Sequence, residues 1–422
     1  GGGRSGRSVA LSADGTIAAI GEYMADGSER GKVRVFEYDA ANDHWNQRLP
    51  DLAATSSPSR CGTSVALNSD ASVVAVGCTR STQNGVAEAG HAQLWKWDSA
   101  NSQYVRMGQD LPGEDADESM GISVALSADG QILAVGAYKH DSHRGRVCTF
   151  TYDAANDHWD DRGTVLGESG GDFAGVSVDL SADGTVLAIG ALKHHGSGLT
   201  DSGDVRVFDW VGGIWDDIRP ALSGVANHDF AGTSVALSAD GSIVAFGAPQ
   251  HDGHRGHVQV WKWESGAWAL RGQDGELDGV GEGDKSGTSV ALSADGSILA
   301  IGAPEHDGLT GDEDGHTRVF SWDGTAWQVV VEIDGNGTDD STGFAVALSA
   351  DAGVLCVGSE LFDYNDGSTT SWNAGKMNVY AAQFHPSPPF PPSSPPPSPP
   401  PSPVDGKWQD VASMADGAGA LC

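Results

Sequence analysis

No apolar run in this sequence approaches 18 residues, so nothing in it reads as a membrane-spanning helix. Basic residues are scarce: 24 Lys and Arg stand against 58 Asp and Glu, a formal net charge of −34. A surface of that sign repels phosphate backbones and anionic bilayers, which argues against nucleic acid as a partner and for cations or basic partners. The same charge also keeps a chain soluble. No helical stretch is evident. Enzyme signatures are missing as well: there is no nucleophile elbow, no phosphate loop and no HExxH. Carboxylates are so numerous that a glycosidase-type pair cannot be singled out. The first residue is Gly1 rather than Met, as in a chain that has lost a leader or is part of a longer one.

What the sequence has in abundance is repetition. A segment Gly-x-Ser-Val-Ala-Leu-Ser-Ala-Asp-Gly, then a short apolar run, then Gly, recurs with small variations along the chain. Its opening glycines are Gly6, Gly62, Gly121, Gly175, Gly232, Gly287 and Gly343, and its closing glycines are Gly21, Gly77, Gly136, Gly190, Gly247, Gly302 and Gly358. Seven copies in register predict seven structural units.

Each unit reads as four strands. Strand A is the run typified by Ser234-Val235-Ala236-Leu237, and Ser-Ala-Asp-Gly makes a tight turn into strand B, typified by Ile243-Val244-Ala245-Phe246. Both are small and continuously apolar, as expected when both faces are covered. Strand C opens after Gly31, Gly90, Gly145, Gly203, Gly256, Gly315 and Gly375, and strand D is marked by Trp45, Tyr104, Trp159, Trp215, Trp268, Trp327 and Trp408. A four-stranded sheet cannot hide both faces alone, but radial stacking of sheets buries them. The predicted fold is therefore all-β: a seven-bladed β-propeller of four-stranded antiparallel blades starting near residues 6, 62, 121, 175, 232, 287 and 343, with the aromatics packing between blades.

The pattern breaks once. From the strand-C glycine to the strand-D aromatic the spacing is 14, 14, 14, 12, 12 and 12, then 33 between Gly375 and Trp408. The excess holds Pro386–Pro403, with twelve of the chain's 18 prolines. The organisation expected is a propeller over 1–385, a polyproline II insertion over 386–403 in the last blade, and a returning outer strand with a C-terminal tail over 404–422. The alternative is a seventh blade without strand D. Polyproline II rises ~3.1 Å per residue, so the insertion would project as a rod.

The repeat resembles the FG-GAP repeat of the integrin α-chain propeller and its microbial relatives, over roughly residues 6–384. Phe173-Ala174-Gly175 and Phe230-Ala231-Gly232 stand at the Phe-Gly of that family, and Gly247-Ala248-Pro249 and Gly302-Ala303-Pro304 match its Gly-Ala-Pro. One departure matters. Integrin-like repeats often carry a calcium loop between strands A and B, whereas here each turn holds a single Asp: Asp14, Asp70, Asp129, Asp183, Asp240, Asp295 or Asp351. One carboxylate cannot supply the six to eight oxygens calcium takes, so these are expected to be turn residues. The Pro-Ser stretch resembles the hydroxyproline-rich glycoproteins of plant and green-algal walls, of the extensin and pherophorin kind. That resemblance implies hydroxylation and O-linked sugars at Pro388, Pro389, Pro391, Pro392, Pro395, Pro396, Pro397, Pro399, Pro400 and Pro401, or on Ser387, Ser393, Ser394, Ser398 and Ser402.

Five cysteines are present. Cys61 precedes strand A of blade two and Cys78 follows its strand B, equidistant from the turn, so they are expected to face each other as a disulfide in an oxidising compartment. Cys148 and Cys356 fall in strands as buried thiols, and Cys422 is expected to pair outside this sequence. Asn336-Gly337-Thr338 is an N-glycosylation sequon, with Asn336 as acceptor. The B–C loops repeat His140-Asp141, His194-His195, His251-Asp252 and His306-Asp307, and the D–A loops place Glu118, Asp172, Asp229, Asp284 and Asp340 three residues before the strand-A glycine. Both loop sets emerge on one face. His140, Asp141, His251, Asp252, His306 and Asp307 thus make a candidate ligand face for a divalent cation, a basic ligand or a sugar; the same residues also read as solvated turn residues.

No cofactor is required by any of these features. The leading expectation is a secreted, non-enzymatic structural glycoprotein of a matrix, cell wall or surface filament. Its expected partners are copies of itself or other extracellular glycoproteins, together with attached glycans. The alternative is an adhesion or carbohydrate- and protein-recognition propeller using the His/Asp face; a propeller enzyme ranks third, because fold alone does not decide function.

Overall fold

The Ser-x-Asp turn, with Asn68 in place of the serine in blade two, organises the inner hairpin of every blade. Ser12 Oγ donates to Asp14 Oδ1 at 2.7 Å and accepts from the Ile17 amide at 2.9 Å, while Asp14 Oδ1 accepts from the Thr16 amide at 2.9 Å. The residue after the Asp is left-handed, with φ between 65° and 70° at Gly15, Gly130, Gly184, Gly241 and Gly296, and the same conformation is forced on Ala71 and Ala352. The Asp is thus spent on closing the turn. Partial burial acts to raise the Asp14 carboxyl, but hydrogen bonds from Ser12 and Thr16 hold it below its ordinary value.

A computed structural model describes residues 3–24, 29–54, 58–273, 277–308, 313–335, 337, 339–362, 364–365, 370–371, 374–382 and 408–415. It shows seven antiparallel sheets arranged as a seven-bladed β-propeller. Blade one runs Ser5–Leu11, Ile17–Glu22, Lys32–Asp39, His44–Ala53, and blade five runs Ser234–Leu237, Ile243–Ala248, His257–Glu264, Ala267–Leu270. Blade seven runs Thr342–Leu348, Val354–Ser359, Lys376–Ala382, Trp408–Ala415. In blades two and four the outer strand is split, with Leu111–Pro112 and Leu222–Ser223 continuing it. Helix among the described residues is limited to single turns such as His140–His143 and His251–His254, and none is long and apolar enough to cross a membrane. The Pro-Ser segment, with all its candidate modification sites, lies outside the described residues, as do Asn336, Thr338 and Cys422.

The inner strands close into a ring through one repeated contact. Each closing glycine of strand B abuts the opening glycine of the next blade. A Cβ on Gly21, Gly77, Gly136, Gly190, Gly247, Gly302 or Gly358 would come within 1.9–2.3 Å of that neighbour's carbonyl oxygen. Ser8, Ser64, Ser123, Ser177, Ser234 and Ser289 donate to those same carbonyls at 2.7–3.0 Å. At the other end of the hairpins the turns join in a closed circuit. The amides of Ala13, Ser69, Ala128, Ala182, Ala239, Ala294 and Ala350 each donate to the next blade's equivalent carbonyl, the last returning to Ala13, at 2.8–3.0 Å.

The apolar core follows from this geometry: seven wedges, one per junction, rather than one centre. Cys61 and Cys78 are opposite in register and form a disulfide in the blade one–two wedge, while Cys148 and Cys356 are buried thiols. Burial pushes both thiols up. The strand-D aromatics of blades one to six pack as expected. Trp159 and Trp327 are buried and donate to the Met107 and Arg271 carbonyls of the preceding blade. In blades one to six the strand-D ring lies against its register partner on strand C, as in Trp263–Trp268 with centroids 5.1 Å apart. Arginines of one blade cover the strand-C tryptophans of the next, Arg48 over Trp97 at 4.4 Å and Arg162 over Trp210 at 4.3 Å.

The junction of blades seven and one lacks the serine bond, because Ala345 occupies that position. Glu360 supplies a substitute. Its buried carboxylate receives Arg4 at 3.3 Å, Arg7 at 3.2 Å and the Tyr23 hydroxyl at 3.0 Å, all from blade one. Breaking a buried ion cluster by removing one partner costs about 3–5 kcal/mol, because the remaining charges lose their counter-ion. Glu360→Ala is therefore expected to lower the unfolding free energy obtained from urea denaturation by an amount in that range, reduced by the partial exposure of Arg4 and Arg7, with a matching fall in the midpoint. A midpoint within error of the parent would show that the seam does not depend on it.

Candidate functional site

On the loop face the residue two before each strand-A glycine is left-handed in every blade: Arg4, Arg60, Ser119, Phe173, Phe230, Lys285 and Ser341 have φ between 51° and 59°. This bend turns the acid just before it inward. Glu118, Asp172, Asp229 and Asp284 are all buried, with exposures of 0, 4, 1 and 4%. Each braces its own loop through backbone amides. Asp229 Oδ2 accepts from Val225 at 2.9 Å and Ala226 at 2.6 Å, and Asp284 Oδ2 accepts from Gly281 at 2.7 Å.

The B–C histidines meet these acids one to one. Nδ1 of His140 lies 3.3 Å from Glu118, that of His194 3.3 Å from Asp172, that of His251 3.0 Å from Asp229, and that of His306 3.0 Å from Asp284. His140 also approaches Asp115 at 2.9 Å. The structure thus sets the histidines half-buried against the D–A loop acids rather than beside the Asp that follows each in sequence. Asp141, Asp252 and Asp307 are exposed; Asp252 lies 3.5 Å from Arg255, and Asp307 accepts from the Glu313 amide at 3.0 Å. The six residues share a face without converging on a single point.

Behind each pair sits the first residue of strand C, and here the blades differ: Lys32, His91, Arg146, Asp204, His257, His316 and Lys376. Arg146 bonds Glu118 and reaches Glu114 at 2.9 Å, and Lys376 lies 3.6 Å from Asp340. His91 shares a 2.5 Å contact with Ser81 Oγ, and burial, aided by Arg106, lowers it to about 4, which keeps it neutral. Burial lifts the Asp204 carboxyl against the opposing pull of His194.

A cavity of about 300 Å³ opens on the same face over blades one to three. Arg7, Arg60, Arg80 and Lys139 line it together with Tyr23 and Tyr138. Glu29 takes Arg60 at 3.1 Å and Arg80 at 2.8 Å, and Arg80 also pairs with Glu88. In a chain with 24 basic residues this is a notable concentration of them, and sequence reading did not find it because the four residues come from three different repeats.

Sequence reading also passed over Asp179, the one strand-A copy with Val-Asp-Leu in place of Val-Ala-Leu. That single departure was the available signal. Its carboxylate accepts from the Leu237 amide of the next blade at 2.7 Å and the Leu180 amide at 2.8 Å. Burial outweighs these bonds and pushes it up to about 6. A carboxyl raised in the folded state binds its proton more tightly there than when unfolded. Its contribution is full below the unfolded value near 4 and is lost as pH rises through about 6. Asp179→Ala, which restores the residue of the other six copies, is expected to flatten the stability profile between pH 4 and 6. It should also raise stability at pH 8 by roughly 1–3 kcal/mol. Denaturation at pH 4, 6 and 8 tests this; an unchanged pH profile would contradict it.

No protein-family model matches the sequence, and no curated protein does. Solved structures do resemble the fold. Hydrazine synthase of Kuenenia stuttgartiensis superposes with a TM-score of 0.54 at 13% identity, covering 86% of this chain and 94% of that one. A putative 6-phosphogluconolactonase from Bacteroides uniformis gives 0.55 at 13% identity, covering 78% and 86%. At such identity the likeness is one of architecture, and it places this chain among the β-propellers by fold alone.

Proposed function

We propose that this chain is a secreted, non-catalytic scaffold propeller built from FG-GAP-type blades, serving as a subunit of an extracellular matrix, cell wall or surface filament. One observation carries the reading. Strand Trp408–Ala415 pairs with Lys376–Ala382, with Trp408 opposite Ala382. The described chain leaves and re-enters the last blade at one rung of its outer hairpin, and a hydroxyproline-rich glycosylated rod inserted there would be offered to neighbours. A proline-dense segment has few backbone donors and cannot extend a ladder, so display is the use that suits it. The Cys61–Cys78 disulfide supports an oxidising compartment, and the pairing of the loop-face histidines with buried acids supports a bracing role over chemistry.

A second reading has its own support. The cleft of Arg7, Arg60, Arg80 and Lys139 with two tyrosines suits a carboxylated or sulfated sugar, which would make the propeller a recognition module for acidic glycans.

The secreted chain and a variant with 386–403 replaced by a short Gly-Ser turn separate the two. Equal thermal melting is expected, with sugar and hydroxyproline mass on the parent's Pro-Ser peptide and higher-order particles in sedimentation from the parent alone. Unmodified, monomeric parent material that binds an acidic glycan would sink the scaffold reading and favour recognition.

A further inference from the structure

The strand-C position behind the loop-face acids is filled by a fixed cation in several blades. Arg146 neutralises Glu118 in blade three, Lys376 faces Asp340 in blade seven, and Lys32 lies 3.5 Å from Glu22 in blade one. Blade six has no such resident. There the position is His316, with His306 beside it and Asp334, its register partner, at the end of the outer strand. The rings are 4.7 Å apart, and ligating atoms of His306, His316 and Asp334 all lie within 4.8 Å of one another.

Two features distinguish this cluster from a satisfied hydrogen-bond network. His316 is buried, with 5% of its side chain exposed, yet its Nε2 makes no hydrogen bond. Buried polar nitrogens without partners are uncommon and call for an explanation. The second feature is spacing. His316 Nε2 and Asp334 Oδ1 are 3.7 Å apart, too far for a hydrogen bond. Two ligands held at about 2.0–2.1 Å around a tetrahedral ion sit roughly 3.3–3.4 Å from each other, so a shift of a few tenths of an ångström would seat one. Blade five is the internal contrast. The same three residue types are present there, but His257 Nδ1 takes Asp278 directly at 2.6 Å, so the carboxylate is already engaged, although His257 Nε2 is likewise without a partner.

We propose that blade six holds a zinc ion, coordinated by His306, His316 and Asp334. Two imidazoles and one carboxylate make a donor set suited to zinc, with a fourth position open to water or to an oxygen of a bound ligand. Asp284, 3.0 Å from His306 Nδ1, adds negative charge next to the ion. Arg318, the nearest fixed cation on the strand, is turned away to the Asp278 carbonyl. Asp334 is 41% exposed, which leaves the centre open to solvent for loading. The ion stands where blades one, three and seven keep Lys or Arg.

The test uses the whole chain, stripped with a chelator, dialysed and titrated with zinc chloride by calorimetry. The parent is expected to take up zinc at micromolar concentration or below. Asp334→Asn and His306→Ala should each weaken uptake at least tenfold. Asp278→Asn, the matching change in blade five, should leave it unaltered. Cobalt(II) gives a readout independent of affinity: visible bands of a tetrahedral site in the parent and their loss in Asp334→Asn, a half-exposed position where near-isosteric substitution spares the fold. Failure of the parent to bind zinc, or binding by both blade-six variants equal to the parent's, would overturn the assignment.

Discussion

Seven sheets can meet around one axis only if something at the junction is small enough, and here that something is a pair of glycines. The closing glycine of each strand B rests on the carbonyl of the opening glycine in the next blade, leaving no volume for a methyl group. That approach brings the strand-A serine within reach of the same carbonyl and aligns the inner turns into their closed circuit of amide bonds. It also confines the apolar side chains to wedges that widen outward, with small aliphatics near the axis and tryptophans at the rim. The repeat motif is thus a description of one interface used seven times.

This explains why so much of the fold was legible. A contact that demands the same residue types at every junction imprints a period on the sequence, and blade number, strand order and the Cys61–Cys78 pairing can all be read from it. The turn Asp was legible for the same reason. What escaped were contacts made across repeats or by departures from them. The one-to-one fit of His251 to Asp229 joins two loops 22 residues apart, and the motif made the neighbouring Asp252 look like the natural companion. Ala345 and Asp179 were visible as odd residues, but their consequences depend on Glu360 and on the Leu237 amide, which no periodicity connects to them.

Charge is distributed by the same economy. Acids greatly outnumber bases, and many are put to work closing turns or bracing loops, where backbone amides serve as their partners and no basic side chain is needed. The few arginines are thereby released for positions where a planar cation does two things at once. Arg162 and Arg219 cover tryptophans of the next blade while bonding backbone carbonyls, and Arg219 also grips Asp209. The cationic cleft over blades one to three stands out against this background because its basic residues gather on the loop face instead of at the rim.

The aromatic pairs of the outer hairpins have an optical consequence. In blades four, five and six the paired rings are both indoles: Trp210–Trp215, Trp263–Trp268 and Trp322–Trp327, at centroid separations of 5.1, 5.1 and 5.4 Å and tilts of 63°, 65° and 55°. Blades one to three pair Trp with Tyr instead. Identical chromophores held close and skewed share their excitation, so among the described ring pairs those of blades four to six contribute indole–indole coupling to the circular dichroism. Blades four to six are therefore spectroscopically distinct from blades one to three, and fraying of one rim would be visible apart from the other without any label.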